Sequence, residues 1–415
     1  MIGSLFAGIS GLNVNSKALT VIGDNIANVN TTAFKSNRSS FANILSQSLA
    51  GTGASEIGRG VEFWGTTPMW SQGSVENTAN PTDMAINGAG FFVLRDNANS
   101  EFYTRAGNFT FDRDGYLINP DGLFVQGYEV TAVAADGTLT LGNITDINVP
   151  GQSTTPPQAS STFTVDVNLD AGAAVLDTYS STVIVYDSLG NGIPVTLTFE
   201  KQAVNSWDVS VSVPNGTVTD PVADVVIDVA NFTFAGADGS LLNNADPQIT
   251  LSNLLSGADD LVLNWDLVDA AGVTHGGLTQ YASSSTTTFQ TQDGYPSGVL
   301  RGVSVDEFGV VTGSFSNGQL TPLYQVLLAD FPNYYGLSKM GKSLYAESRD
   351  SGQPLAGVPQ SGRLGSISPS AIEMSNVDLA QEFVKMITTQ RAFQANSRVI
   401  TVSDEILAEL INIKR

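Results

Sequence analysis

The sequence predicts a mainly β protein with an α-helix at each end. The two helices pair as a coiled coil, and two nested antiparallel β-domains lie between them. Three observations predict this. Near the end, Leu379, Met386, Phe393, Ile400 and Leu407 form an apolar column with a spacing of seven, half of an a/d helical seam. At the start, Leu5, Leu12, Leu19 and Ile26 repeat the device. Between them the apolar period changes to two, the period of strands with one buried face.

Taken in order, the first helix has Ile2, Ile9, Ser16 and Gly23 as the mixed companion of its leucine column. Gly8, Gly11 and Gly23 each cost a helix about 1 kcal/mol relative to alanine, so it is expected to be marginal alone. It ends at Asn28-Val29-Asn30-Thr31-Thr32, whose side chains favour local bonding over helix. Residues 31–70 read as a connecting segment, polar from Ser36 to Gly60, with Phe41, Ile44, Leu45 and Leu49 as its anchors.

A first β-region is expected over residues 71–150 and again over 288–369. Phe91-Phe92-Val93-Leu94 reads as a buried strand, and Asp114-Gly115 and Asp121-Gly122 read as tight turns. Asn317-Gly318 is a hairpin signal before Tyr324–Leu328. Residues 151–287 form the inserted domain, announced by the Pro/Thr/Ser-rich run from Gly151 to Ser161. There Phe163, Val165, Val167 and Leu169 face one way. The sets Val195, Leu197, Phe199 and Trp207, Val209, Val211, Val213 do the same, all predicting antiparallel sheets with a wet outer face. The closing helix is expected from a capping box at Ser375 and Asp378, without Gly or Pro afterwards. Residues 1–30 and 370–415 thus frame everything else as paired terminal helices.

Composition excludes several functions. The net charge is −22, with a pI of about 4.1, against nucleic acid and anionic membranes as partners. Between Gly151 and Gln290, Lys201 is the only basic residue, against fifteen acidic ones from Asp166 to Asp269. With no cysteine there are no disulfides, thiolate metal sites or cysteine nucleophiles. The lone His275 sits in a turn-like Val-Thr-His-Gly-Gly and has no second histidine for a metal site. Asp187-Ser-Leu-Gly-Asn191 is a faint echo of a calcium loop, but without the ligand spacing or closing Glu of an EF-hand it reads as a turn. No phosphate loop, triad or apolar carboxylate pair is evident, so no catalytic residue, cofactor or metal ligand is assigned and the chain is not read as an enzyme. No apolar run is long enough to span a membrane, and the N-terminus is not a signal-peptide pattern.

Specific motifs carry a resemblance. Ser10-Gly11-Leu12 and the run containing Asn25, Asn28, Asn30, Thr31, Thr32, Phe34 and Lys35 resemble the N-terminal signature of the bacterial flagellar rod and hook axial proteins. Ser375-Asn376-Val377-Asp378-Leu379 and Gln390–Asn396 resemble their closing helix. Gly90–Val93, Tyr103–Phe109, Asp114–Leu117, Gln126–Tyr128 and Lys339–Ala346 are similar to the family's middle-layer domain. The length and the acidic insert, with Val185–Asn191 and Val195–Phe199, point to the hook branch.

The resemblance implies a subunit of a curved, hollow homopolymer that acts as a universal joint, passing torque from rod to filament. It places the paired helices innermost, the first β-domain in the middle and the acidic domain outside. The two leucine-rich columns would form the polymer interface. The implied partners are further copies of the chain, the hook cap, the distal rod, the hook–filament junction proteins and the flagellar type III export apparatus. The implied location is extracellular, reached without a cleaved signal peptide. A distal rod or other axial subunit is the alternative, and a secreted β-rich adhesin or hydrolase leaves the terminal heptads without a purpose.

Overall fold

The computed structural model describes residues 2–44, 59–134, 136–214, 216–218, 225–242, 246–268 and 274–413. Two helices bracket a β-rich chain: α1 (Ile2–Ala27) and α2 (Leu379–Ile413). The chain divides into two compact units. The first holds residues 1–151, 302–314 and 320–415, and the second holds 152–301 and 315–319.

Within the first unit, Phe91–Arg95 is a central strand whose first four residues are all buried. It pairs with Glu101–Thr104 and Phe124–Val133, and the sheet continues through Leu320–Val326 to Val310–Phe315. The predicted turns are present, with Gly115 and Gly122 at φ +90° and +81°, a conformation that glycine adopts without cost. Gly318 likewise turns at φ +82° in the Asn317-Gly318 hairpin. An aromatic core gathers Phe91, Tyr103, Phe331 and Tyr345, with Trp70 and Tyr334 against it. Tyr103 meets Phe331 edge-on at 4.8 Å, the geometry in which a ring's positive edge faces a negative face.

Residues 31–70 are not simply a connection. Asn37–Asn43 pairs antiparallel with Val61–Pro68 as a two-stranded ribbon beside α1. In its first strand Phe41 and Ala42 stand alone among Asn, Arg and Ser, so the alternation there is too dilute to read. Phe41 approaches Phe63 at 6.4 Å, and the Lys17 ammonium lies over the Phe63 ring. The anchors Leu45 and Leu49 lie outside the described residues.

The second unit is two sheets closing on one apolar core. The four-stranded sheet, Thr178–Tyr186, Gly192–Ala203, Ser206–Val213 and Val225–Thr233, is antiparallel throughout. The other is mixed, which corrects the expectation of purely antiparallel sheets. Thr162–Asp170 runs parallel to Leu261–Trp265 and to Leu278–Tyr281, and antiparallel to Thr286–Gln292. Alternation tells which face is buried and is silent on strand direction, because both directions share the same pleat. Phe163, Val165, Val167, Leu169, Val195, Leu197, Phe199, Trp207, Val209, Val211 and Val213 all face inward. Each such side chain contributes about 1.5–3 kcal/mol by leaving water. Trp265 sits at the centre, stacked on Phe163 at 5.8 Å and edge-on to Phe232 at 5.5 Å. Since Thr286–Gln292 pairs within this sheet and the second unit runs to residue 301, the return to the first unit comes later than residue 288.

Candidate functional site

The helices run antiparallel with a constant register. Ser4 Oγ lies 3.4 Å from Ser403 Oγ, and Asn25 Nδ2 donates to Glu382 Oε2 at 3.2 Å. Between these ends, a Cβ on Gly8 would stand 3.0 Å from Ile400 Cγ1, and one on Gly11 only 2.7 Å from Asn396 Nδ2. These two glycines are where the helix axes approach, so their conformational cost is the condition for close packing. By contrast a Cβ on Gly3 or Gly23 would meet nothing within 4 Å.

The buried line of α1 is Gly8, Gly11, Val14, Ala18, Ile22 and Asn25. Leu5, Leu12, Leu19 and Ile26 flank it and are half-buried, as are Met386, Ile400 and Leu407 on α2. Leu379 and Phe393 are exposed, at 40% and 37%. The structure therefore brings one leucine column beside the seam and divides the other between seam and surface. Helix α2 begins at Leu379, four residues after Ser375. Its cap is Asp378, whose Oδ1 accepts from the amides of Ala380 at 2.9 Å and Gln381 at 3.2 Å. A carboxylate there satisfies two free N–H groups and favours the positive helix end, which Ser375 cannot reach.

At the base of the pair, the N-terminal motif is tied to the segment that leads into α2. Asn25 donates to Asn37 O at 2.8 Å and accepts from Asn37 N at 2.8 Å. Asn28 Nδ2 donates to Asp24 O, and Thr31 Oγ1 donates to Asn28 Oδ1, closing the turn after α1. Thr32 O accepts from Ser343 Oγ, Phe34 is half-buried and Asn30 is exposed. Asn376 accepts from Ser36 N at 2.7 Å and donates to Met69 O and Ser71 O. Beneath them lies a buried ionic cluster. Lys35 Nζ is 2.5 Å from Glu373 Oε1, and Arg105 Nη1 is 3.4 Å from Glu373 Oε2. Glu373 also accepts from Gly73 N, Lys35 donates to Ser71 O, and Arg105 donates to Gly88 O. Burial pushes the Lys35 ammonium below its ordinary pKa, opposed by the adjacent Glu373 carboxylate.

Sequence reading missed Glu373. The alternation in Ala371-Ile372-Glu373-Met374-Ser375 points Ile372 and Met374 inward, whereas the structure buries Ala371, Glu373 and Ser375, so a carboxylate stands on the inward face of a strand against the local apolar pattern. Elsewhere, Asp187 is a turn residue, its Oδ1 accepting from Leu189 N and Asn191 N and its Oδ2 from Ser256 Oγ. His275 is half-exposed, 3.3 Å from Asp266. Among the described residues no group of three or more His, Asp or Glu side chains is placed to hold a metal, and no helix is long and apolar enough to cross a membrane.

Comparison with known proteins agrees with this anatomy. The N-terminal family described as flagella basal body rod protein matches residues 5–35. The flagellar hook protein FlgE/F/G D1 domain matches 85–168, and the flagellar basal body protein FlaE D2 domain matches 174–295. The flagellar basal body rod FlgEFG protein C-terminal family matches 368–413. The flagellar hook protein FlgE of Borreliella burgdorferi is 34% identical over an alignment of 456 positions covering 100% of both chains. That of Escherichia coli is 31% identical and covers 98% of each. A crystal structure of the Helicobacter pylori flagellar hook protein FlgE2 shares the fold over 73% of this chain and 99% of that one, with a TM-score of 0.50 at 16% identity. Full-length similarity at this level places the chain in the flagellar hook protein family.

Proposed function

We propose that the chain is a structural, non-enzymatic subunit of the bacterial flagellar hook, polymerising into a curved hollow tube that transmits torque as a universal joint. The observation that carries this is the apolar surface left over after the helices have paired. Phe6 and Ile9 on α1, and Phe383, Val384, Ile387, Val399, Val402 and Ile406 on α2, are 43–62% exposed. An apolar face of this extent on paired helices asks for other copies of the same helices. In this reading the helices, with Leu5, Leu12, Leu19, Ile26, Leu379, Met386, Phe393, Ile400 and Leu407, form the innermost layer and the polymer interface. The first β-unit lies around them and the acidic unit outside. The hook cap, distal rod, hook–filament junction proteins and type III export apparatus are the flagellar partners, with export of the unfolded chain to the cell exterior.

Electron microscopy of the concentrated protein tests the reading. Hollow tubes are expected, and a protein that stays monomeric under all polymerising conditions overturns it.

A further inference from the structure

Helix α2 carries an ordered charge pattern on the face turned away from α1. Positions Arg391, Arg398, Glu405 and Glu409 are all exposed. At about 100° per residue they fall within about 40° of one another, a single stripe along the helix. The residues that meet α1, Glu382, Asn396, Ile400 and Ser403, lie on the opposite side. Along the stripe the order is two arginines and then two glutamates, with Val402 exposed between them. Among the described residues none of the four is in an ion pair, whereas Lys385, off the stripe, pairs with Glu382. A helix that stabilised itself would set opposite charges three or four residues apart. Here the spacing is too long for that. Arg391 and Glu405 are about 21 Å apart along the axis, and Arg398 and Glu409 about 17 Å, at about 1.5 Å per residue.

We infer that α2 docks against α2 of a second copy, parallel to it and displaced by about 19 Å along the helix axis, so that the Arg391/Arg398 band of one lies beside the Glu405/Glu409 band of the other. The inference rests on the hook-subunit reading and adds to it a defined contact and an axial step. Charge complementarity names the occupant: a second α2 offers the acidic band that the arginines lack within their own chain. The flanking Val384, Ile387, Val402 and Ile406 supply the apolar part of the same contact. Parallel helices displaced in this way leave each end of the stripe unmatched, so the contact propagates from copy to copy. An antiparallel face-to-face pair would match the same charges but would close as a dimer.

Two charge-reversed chains test this, Arg391→Glu/Arg398→Glu and Glu405→Lys/Glu409→Lys. With the wild type forming tubes, each reversed chain alone is expected to need about tenfold more protein or to form none. An equimolar mixture of the two is expected to restore tubes, as is the chain carrying all four reversals. Unchanged thermal melts of the β-units verify that each variant folds. Because the chain has no cysteine, Arg391→Cys/Glu405→Cys with a short thiol cross-linker reads the geometry, a ladder beyond dimers being expected. Reversed chains that polymerise like wild type, a mixture that fails, or cross-linking that stops at dimers each overturns the inference. A wild type that makes no tubes overturns the hook-subunit reading instead.

Discussion

The Lys35 ammonium and the Glu373 carboxylate, separated by 338 residues in the chain, meet at 2.5 Å with both side chains essentially excluded from water. Among the described residues Glu373 is the one anion paired with both Lys35 and Arg105, so the three partners are not equivalent. Removing Lys35 leaves a carboxylate still facing a guanidinium. Removing Glu373 leaves two buried cations together. Glu373→Ala is expected to lower the stability of the first unit by about 3–5 kcal/mol, and Lys35→Met by clearly less. Denaturant titration of the two variants measures the order, and the reverse order would reject this account of the cluster.

The glycines of α1 are expected to respond in opposite directions. Gly11→Val would drive a branched side chain into Asn396, so the helices should separate, with loss of helical circular dichroism and of tubes. Gly23→Ala meets open space and should stabilise α1 by about 0.5–1 kcal/mol. Equal effects at the two positions would show that Gly11 is not a point of close approach.

Two apolar residues of the same α2 column separate pairing from polymerisation. Ile400 packs over Gly8, whereas Phe393 is partly exposed. Ile400→Asp places a carboxylate in the seam and should cost the helix pair about 3 kcal/mol. Phe393→Asp should leave the monomer's melt within about 0.5 kcal/mol and still suppress tubes. Melts of the monomer beside a pelleting assay decide between them.

Alkali should unfold the first unit before it strips the core of the second. Burial pushes the Tyr345 and Tyr334 phenols up to about 12, with Asp330 adding to the shift at Tyr334. The unfolded chain loses these protons near pH 10, so between pH 10 and 12 the folded state binds more protons than the unfolded one. Stability is therefore fully present below pH 10 and falls as pH rises through 12. Tyr345→Phe keeps the ring contacts with Trp70 and Phe91 and should reduce the fall. Melts at several pH values from 9 to 12 for both proteins supply the comparison.

Much of the fold was legible because strand alternation is local. Val195, Leu197 and Phe199 declare their inward face to any reader of the sequence, and all three are fully buried. The candidate site was legible only in part. Asn25, Lys35 and Asn376 stand in recognisable motifs, and Glu373, the buried partner of Lys35, stands in none. Its role depends on a lysine hundreds of residues earlier, which no local pattern encodes.

By itself, the sequence determined the helices at both ends, the inward faces of the strands, the tight turns at Asp114-Gly115 and Asp121-Gly122, and the family. All of these are written in periods of two, three and four residues or in contiguous motifs, and a side chain's direction follows from the backbone period alone. Only the tertiary structure decided which face of α1 meets α2. The buried line runs through Gly8, Gly11, Val14 and Ala18 rather than through the leucine column beside it. A heptad column states that a seam exists. Its phase and register come from the partner, because glycines permit the axes to approach only where the opposing helix supplies Asn396 and Ile400. The direction of Leu261–Trp265 beside Thr162–Asp170 was decided in the same way, since parallel and antiparallel neighbours bury the same face and only the path of the intervening chain chooses between them.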